Sequence, residues 1–201
     1  MKRTLAILGI MSLSACAPPV ADLYLQVTTQ PQLIAQTEKD AVSRAEPKSM
    51  KEGFFPRYHE ISAQSPIIQR DGYLSNYEVF KANFEAGQNI MMFVASQCDC
   101  LGFDKRVLVP DISFLDEKGE PENATVEGVS LGLNFFVTLR TNIERDGNYY
   151  LLVGANNASV GKEAPNKNAT APLYSGQSAS LSTSTTPNPF GEVSVTYFID
   201  D

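Results

Sequence analysis

After residue 65 the chain alternates apolar and polar side chains in short runs bounded by Gly, Asn, Asp and Pro, which is the pattern of strands. A short strand over 66–70 leads to a first clear one that carries Tyr77, Val79 and, after a shift of parity, Phe80 and Phe84. Ala86, Gly87, Gln88 and Asn89 make a turn and residues 90–96 return. Another strand spans 106–115 and breaks at Asp116, Glu117, Lys118 and Gly119; Val107, Val109, Ile112 and Phe114 cannot share one parity, so Pro110 marks a bulge or an edge. Residues 130–141, a turn at Arg145, Asp146, Gly147 and Asn148, and residues 149–153 form the plainest pair. The last strand, 192–199, sets Val193, Val195, Tyr197 and Ile199 on one face against Ser194, Thr196 and Phe198 on the other. Turns this short exclude crossover helices, so pairing is antiparallel. The predicted fold class is mainly β, an antiparallel β-sandwich of jelly-roll type with a short N-terminal helix; a closed barrel is the second choice.

The pattern before residue 61 is different. Pro31 suits a first helical position, and Leu33, Ile34, Ala41, Val42 and Ala45 line one face of a helix that Pro47 ends. Residues 50–65 read as irregular backbone that lays Phe54, Phe55 and Tyr58 on the main domain. Between 155 and 191 the chain is rich in Asn, Ser, Thr and Pro and reads as a long mobile surface loop before an ordered strand. The predicted organisation is a signal segment at 1–15, a tether at 16–29, a helix and irregular lead-in at 30–60, and a sandwich at 61–201.

With 201 residues, 43% hydrophobic, the chain is long enough for one core, which excludes wholesale disorder and a collagen-like fibre. Its net charge of −7 and lack of Lys/Arg runs argue against nucleic-acid binding.

Lys2 and Arg3, an apolar stretch at 5–13 too short to cross a bilayer, and small residues to Ala15 form the three parts of an export signal. Leu13, Ser14, Ala15 and Cys16 spell a lipobox, and the N-terminus therefore resembles bacterial lipoprotein precursors. The resemblance implies that Cys16 is the lipid-attachment residue: its thiol takes diacylglycerol, the chain is cut before it, and the new amine is acylated, palmitate being a typical chain. Ala17 in place of Asp implies the outer membrane, facing the periplasm. Loss of residues 1–15 removes Lys2 and Arg3 and no acid, so 14 basic side chains face 23 acidic ones, a net −9. Anionic head groups repel such a body, and the lipid must be its hold on the membrane.

Ile61, Ser62, Ala63, Gln64, Ser65 and Pro66, the run Val109, Pro110, Asp111, Ile112, Ser113, Phe114, Leu115 and Asp116 with Gly119 and Pro121, and a late alternating strand are similar to the maltose operon periplasmic protein family, whose members include exported proteins with a C-terminal β-sandwich. Phe84, Ala86, Gly87 and Gln88 equally resemble bacterial pre-peptidase C-terminal domains, which are small jelly rolls. Neither resemblance supplies catalytic residues.

Candidate chemistry in the body is sparse. His59 is the single histidine and sits in a predicted loop without a Gly-x-Ser-x-Gly elbow, so an anchoring role is favoured over a general base. Cys98 and Cys100 are a candidate disulfide pinning the turn between Ser96 and Phe103; a redox pair, a metal site with His59 and two free thiols are the alternatives. Asp99, Asp104, Asp111, Asp116, Glu117, Glu120 and Glu122 crowd one segment and read as solvated turn carboxylates rather than a calcium site. Tyr73, Tyr77, Tyr149 and Tyr150 could face a carbohydrate, but such tyrosines are usually core and no Trp is present. The expectation is a lipid-anchored accessory or binding module with no catalytic site, cofactor or metal, its partners the membrane and an envelope protein or carbohydrate. The alternatives are an envelope hydrolase or thiol-redox enzyme using His59 or the cysteine pair, and a structural subunit of an envelope assembly ordering the 155–191 loop.

Overall fold

The structure is a computed structural model that describes residues 18–29, 33–54, 57–99, 106–131, 134–158, 160, 170–172, 178–180 and 186–200. Its frame is nine strands: β1 (Tyr58–Ile61), β2 (Ile67–Arg70), β3 (Tyr73–Phe84), β4 (Asn89–Ser96), β5 (Pro110–Leu115), β6 (Thr125–Leu131), β7 (Asn134–Asn142), β8 (Gly147–Ala155) and β9 (Gly191–Asp200). They form two sheets, sheet I in the order β2-β3-β8-β5 and sheet II in the order β6-β7-β4-β9, with β1 on β9. Every neighbouring pair in this frame is antiparallel. The two-layer antiparallel architecture predicted from alternation is the one observed.

The short turns do something the alternation does not reveal. The segments after Phe84 and after Asn142 do not close hairpins; each carries the chain from one sheet to the other. These two corners lie side by side and zip together: Gly87 N donates to Ile143 O at 2.7 Å, Ile143 N to Gln88 O at 2.9 Å, and Ala86 N to Asp146 Oδ1 at 2.7 Å. Crossing connections of this kind are what a jelly roll uses, while the pairs β2–β3 and β6–β7 stay within one sheet.

Strict alternation places Phe80, Ala82 and Phe84 of β3, Ile112 and Phe114 of β5, and Tyr149, Leu151 and Val153 of β8 in the core between the sheets. They meet Ile90, Met92 and Val94 of β4, Phe135, Val137 and Leu139 of β7, and Val193 and Val195 of β9. The expected parity shift in β3 is absent. Tyr77 and Val79 simply point the other way, into a second apolar cluster with Ala35, Ala41, Ile68, Leu115 and Leu152 on the outer face of sheet I. Helix α2 (Glu38–Arg44) covers that cluster, with Val42 and Ala45 packed at its margin. The molecule is thus three layers deep on one side, and the strands of sheet I are buried on both faces.

Several expectations change. The segment read as tether holds a helix, α1 (Val20–Thr29), because Val20, Leu23, Tyr24 and Val27 recur at helical spacing; Val27 is fully buried and the Tyr24 hydroxyl accepts from Leu74 N at 3.3 Å. The expected helix begins later than Pro31, which lies outside the described residues: Ile34–Ala35 is a short strand on β2, and Thr37, whose Oγ1 accepts from Asp40 N, caps α2. The lead-in is not irregular throughout. Lys48–Ser49 pairs parallel with β3, Lys51–Glu52 parallel with β9, and Met50 between them drops into the core. Residues 106–115 are two strands, since Arg106–Val107 pairs with Thr186–Pro187 and the chain changes sheet before Pro110 begins β5. Residues 130–141 are likewise split between β6 and β7. Within the stretch expected as a mobile loop, Asn156 and Asn157 are buried, Asn157 Nδ2 donates to Leu74 O at 2.9 Å, and Thr170–Pro172 pairs with Ser178–Ser180.

The third layer makes a measurable difference. Leu151 faces the core and Leu152 faces α2, and both are fully buried. Leu152→Ala will cost about 2–5 kcal/mol in urea denaturation, comparable with Leu151→Ala. On a solvated outer face Leu152→Ala would cost no more than about 0.5 kcal/mol, and that result would remove the helical layer.

Candidate functional site

The most concentrated chemistry lies where α2 meets sheet I. Glu38 is in the first turn of α2, Arg70 ends β2, Tyr73 begins β3, and Asp111 and Ser113 point outward from β5 between the core positions Ile112 and Phe114. Arg70 Nη1 lies 3.1 Å from Asp111 Oδ2, and Nη2 lies 3.3 Å from Glu38 Oε1 and donates to Ser113 Oγ at 2.9 Å. Ser113 Oγ in turn donates to Glu38 Oε1, and the Tyr73 hydroxyl donates to Asp111 Oδ2 at 2.7 Å. Arg70 is 4% exposed and Asp111 0%.

Removing these charges from water is expensive, so each must be held by an opposite charge. Burial by itself would lower the Arg70 pKa, but the Asp111 and Glu38 carboxylates outweigh it and hold the guanidinium above its ordinary value. Burial, reinforced by the Asp111 charge, pushes the Tyr73 phenol far up, so it serves Asp111 as a neutral donor. Tyr77, four residues along β3, donates to Ala41 O of α2 at 3.0 Å, and burial pushes its phenol up to about 12.

The turn after β5 completes the dock. Asp116 Oδ1 accepts from Lys118 N and Glu120 N, and Gly119 has φ +75°. A Cβ on Gly119 would lie 2.9 Å from Lys39 Cα, so glycine lets α2 and this turn touch, and Lys39 Nζ meets Glu120 Oε1 at 2.8 Å. A cleft of about 310 Å³ opens here between Thr37, Lys39, Arg70, Asp71 and Glu120. Of the charges lining it, Lys39, Glu120 and Arg70 hold α2 and the turn to the sheet.

Cys16 and Cys100 lie outside the described residues. Cys98, in the short strand Cys98–Asp99 beside Arg106–Val107, is disulfide-bonded. His59 is not in a loop but in β1, opposite Val193 of β9; its ring lies edge-on to Phe80, centroids 5.3 Å apart, and desolvation with nearby Lys48 lowers its pKa. The acidic residues are not uniformly solvated, because Asp111 and Asp116 are buried and Arg145 bridges Asp116 and Glu122 at 3.6 and 3.0 Å. Asp104 lies outside the described residues. Of the tyrosines, Tyr73 and Tyr77 serve the α2 dock, Tyr149 stacks on Phe114 with centroids 5.3 Å apart, and Tyr150 lies under Lys81 Nζ. Among the described residues no three His, Cys, Asp or Glu side chains are grouped to hold a metal ion, and no helix is long and apolar enough to cross a membrane.

Glu38, Arg70 and Ser113 are not among the residues whose chemistry the sequence marks, Ser113 entering there only as part of a strand. A signal for two partners of this cluster was present: Arg70 follows Ile67 and Ile68 in one apolar strand, and Asp111 interrupts another, and an ionised residue inside a buried strand needs a partner.

No protein-family model matches the chain, and no curated protein matches it. Among solved structures, the pre-peptidase C-terminal domain of a collagenase from Bacillus anthracis is similar at 13% identity and a TM-score of 0.36, covering 76% of this chain and 95% of that one. At that level of likeness the β-sandwich assignment stands on the strand order and registers given above.

Two outcomes follow from the α2 dock. Asp111→Ala will destabilise the protein by about 3 kcal/mol in urea, since Arg70 keeps Glu38, while the triple change Glu38→Gln, Arg70→Met and Asp111→Leu, which leaves no unpaired charge, will cost less than Asp111→Ala alone. Tyr77 contributes as a neutral phenol, so its contribution is complete below pH 10, where unfolded tyrosine titrates, and is lost as the pH rises from 10 through 12. Stability measured across that window will fall more steeply in the native protein than in Tyr77→Phe, by up to about 1.4 kcal/mol per pH unit.

Proposed function

We propose that this chain is the precursor of a lipid-anchored envelope protein, attached through Cys16 to the periplasmic face of the outer membrane, whose β-sandwich serves as a non-catalytic binding or accessory module. The observation that carries the reading is Leu13-Ser14-Ala15-Cys16 behind a basic start and a nine-residue apolar stretch at 5–13. Acylation at a thiol suits a body whose processed charge is −9, because lipid chains supply a membrane hold that its surface charge opposes. The segments around Ile61–Pro66 and Val109–Asp116 support placing the body among exported sandwiches of the maltose operon periplasmic kind.

The arrangement of the body favours binding over catalysis. Its densest polar cluster holds α2, and its one histidine packs on Phe80. The outer face of sheet II, by contrast, carries an open aromatic group: Phe54 is 82% exposed, its ring 4.5 Å from that of Phe198, which meets Phe93 at 5.6 Å. Phe54, with the half-buried Phe93 and Phe198 beside it, is the aromatic contact surface that this reading offers a partner. The disulfide of Cys98, which this reading assigns to Cys100, would serve a structural use in an oxidising compartment.

Metabolic labelling with an alkyne fatty acid, followed by mass spectrometry of the mature N-terminus, tests the reading. Label and a diacylglyceryl mass on Cys16 are expected in the native protein and neither in Cys16→Ser; an exported, mature chain with an unmodified Cys16 thiol would refute the proposal.

A further inference from the structure

Only three residues separate Cys16 from Val20, where α1 begins. Four backbone steps span at most about 14 Å, so an acylated Cys16 keeps the first turn of α1 within that distance of the lipid attachment point. The helix is not free to swing away from the body. The Tyr24 hydroxyl accepts from Leu74 N of β3 and Val27 is fully buried, while Asp22 N and Leu23 N donate to Pro19 O and continue the first turn back to the residue before the helix. The anchor therefore fixes which side of the sandwich approaches the bilayer.

The outward stripe of α1 suits that position. Residues at i, i+4, i+7 and i+8 share a helix face, here Ala21, Leu25, Thr28 and Thr29. Leu25 is 57% exposed, and the hydroxyls of Thr28 and Thr29 donate back to Leu25 O at 3.0 and 2.8 Å, which lessens their demand for water. Leu33, just beyond the helix, is 82% exposed. Of residues 17–36 only Asp22 is charged, so the part of this acidic protein nearest the anchor carries a single acid, at the helix start, and anionic head groups repel it far less than they repel the rest of the body.

Resting on the lipid-anchored reading, we infer that the Leu25 face of α1 is a membrane-contact surface: it lies in the head-group region of the bilayer beside the acylated Cys16 and turns the aromatic face of sheet II away from the lipid. The ligand of this surface is the bilayer itself.

The absence of native tryptophan gives a clean test. The full lipoprotein carrying Leu25→Trp, and separately Leu33→Trp or Phe54→Trp, is purified and reconstituted into phosphatidylethanolamine and phosphatidylglycerol vesicles with or without brominated acyl chains. Insertion to the depth usual for an interfacial helix predicts a blue shift and about twofold or greater quenching at positions 25 and 33, with emission at 54 unchanged. If mass spectrometry confirms the lipid and positions 25 and 33 stay unquenched, or position 54 is quenched as strongly, the membrane-contact surface is refuted while the lipoprotein reading survives. If Cys16 carries no lipid, both fail.

Discussion

The contact between α2 and the outer face of sheet I, centred on Glu38, Arg70 and Asp111, is the constraint on which the three-layer arrangement depends. A helix of seven residues has almost no stability of its own, so it exists here because the sheet holds it. Apolar contact of Ala41 with Ile68, Tyr77, Val79, Leu115 and Leu152 supplies the non-directional part of that hold. The ion cluster supplies direction, because a buried guanidinium between two carboxylates tolerates few displacements. Strands β2, β3 and β5 each contribute a residue to it, so the position of α2 and the relative register of sheet I are settled together.

This asymmetry divides the surface of the molecule. Sheet I has both faces occupied, one by the core and one by α2, and α1 is fastened to β3. Sheet II has the core on one side and Phe54, Phe93 and Phe198 on the other. An antiparallel sheet with one solvated face normally shows polar residues there, as Glu127 and Arg140 do. The departure from that pattern is local to the Lys51–Glu52 and β9 side, where the lead-in chain crosses from sheet I to sheet II at Met50.

How much could be read from the sequence follows from which interactions are local. Alternation along 192–199 locates β9 and its inward face because Val193, Val195, Tyr197 and Ile199 obey a period of two whatever they pack against. The same rule misleads in β3. Tyr77 and Val79 face α2 while Phe80 and Phe84 face the core, and a strand buried on both sides looks like one whose parity has slipped. Corners and hairpins share turn residues, so Gly87 and Gly147 announce a reversal without saying whether the next strand pairs with the last or crosses over. Glu38 carries no local mark of its role. Its partners are 32 and 75 residues away in sequence, and only the folded sheet brings Arg70 and Ser113 to it.

On the lipid-anchored reading, these features combine into one mechanical statement. A tug on the acyl chains reaches the body through Pro18, Pro19 and α1, then through Tyr24 and Val27 to β3, the long strand whose register with β8 runs from Tyr77 to Phe84. The contact enters β3 at Leu74, where that strand pairs with Gln69 of β2, next to its long ladder with β8. Sheet II takes no side-chain contact from α1 in this path; it joins sheet I through the zipped corners at Gly87 and Ile143, the lead-in crossing at Met50, the link from β1 to β2, and the segments flanking β5 and following β8. The aromatic surface of Phe54, Phe93 and Phe198 thus lies on the sheet that α1 does not touch, with the core between it and the strand that holds the helix.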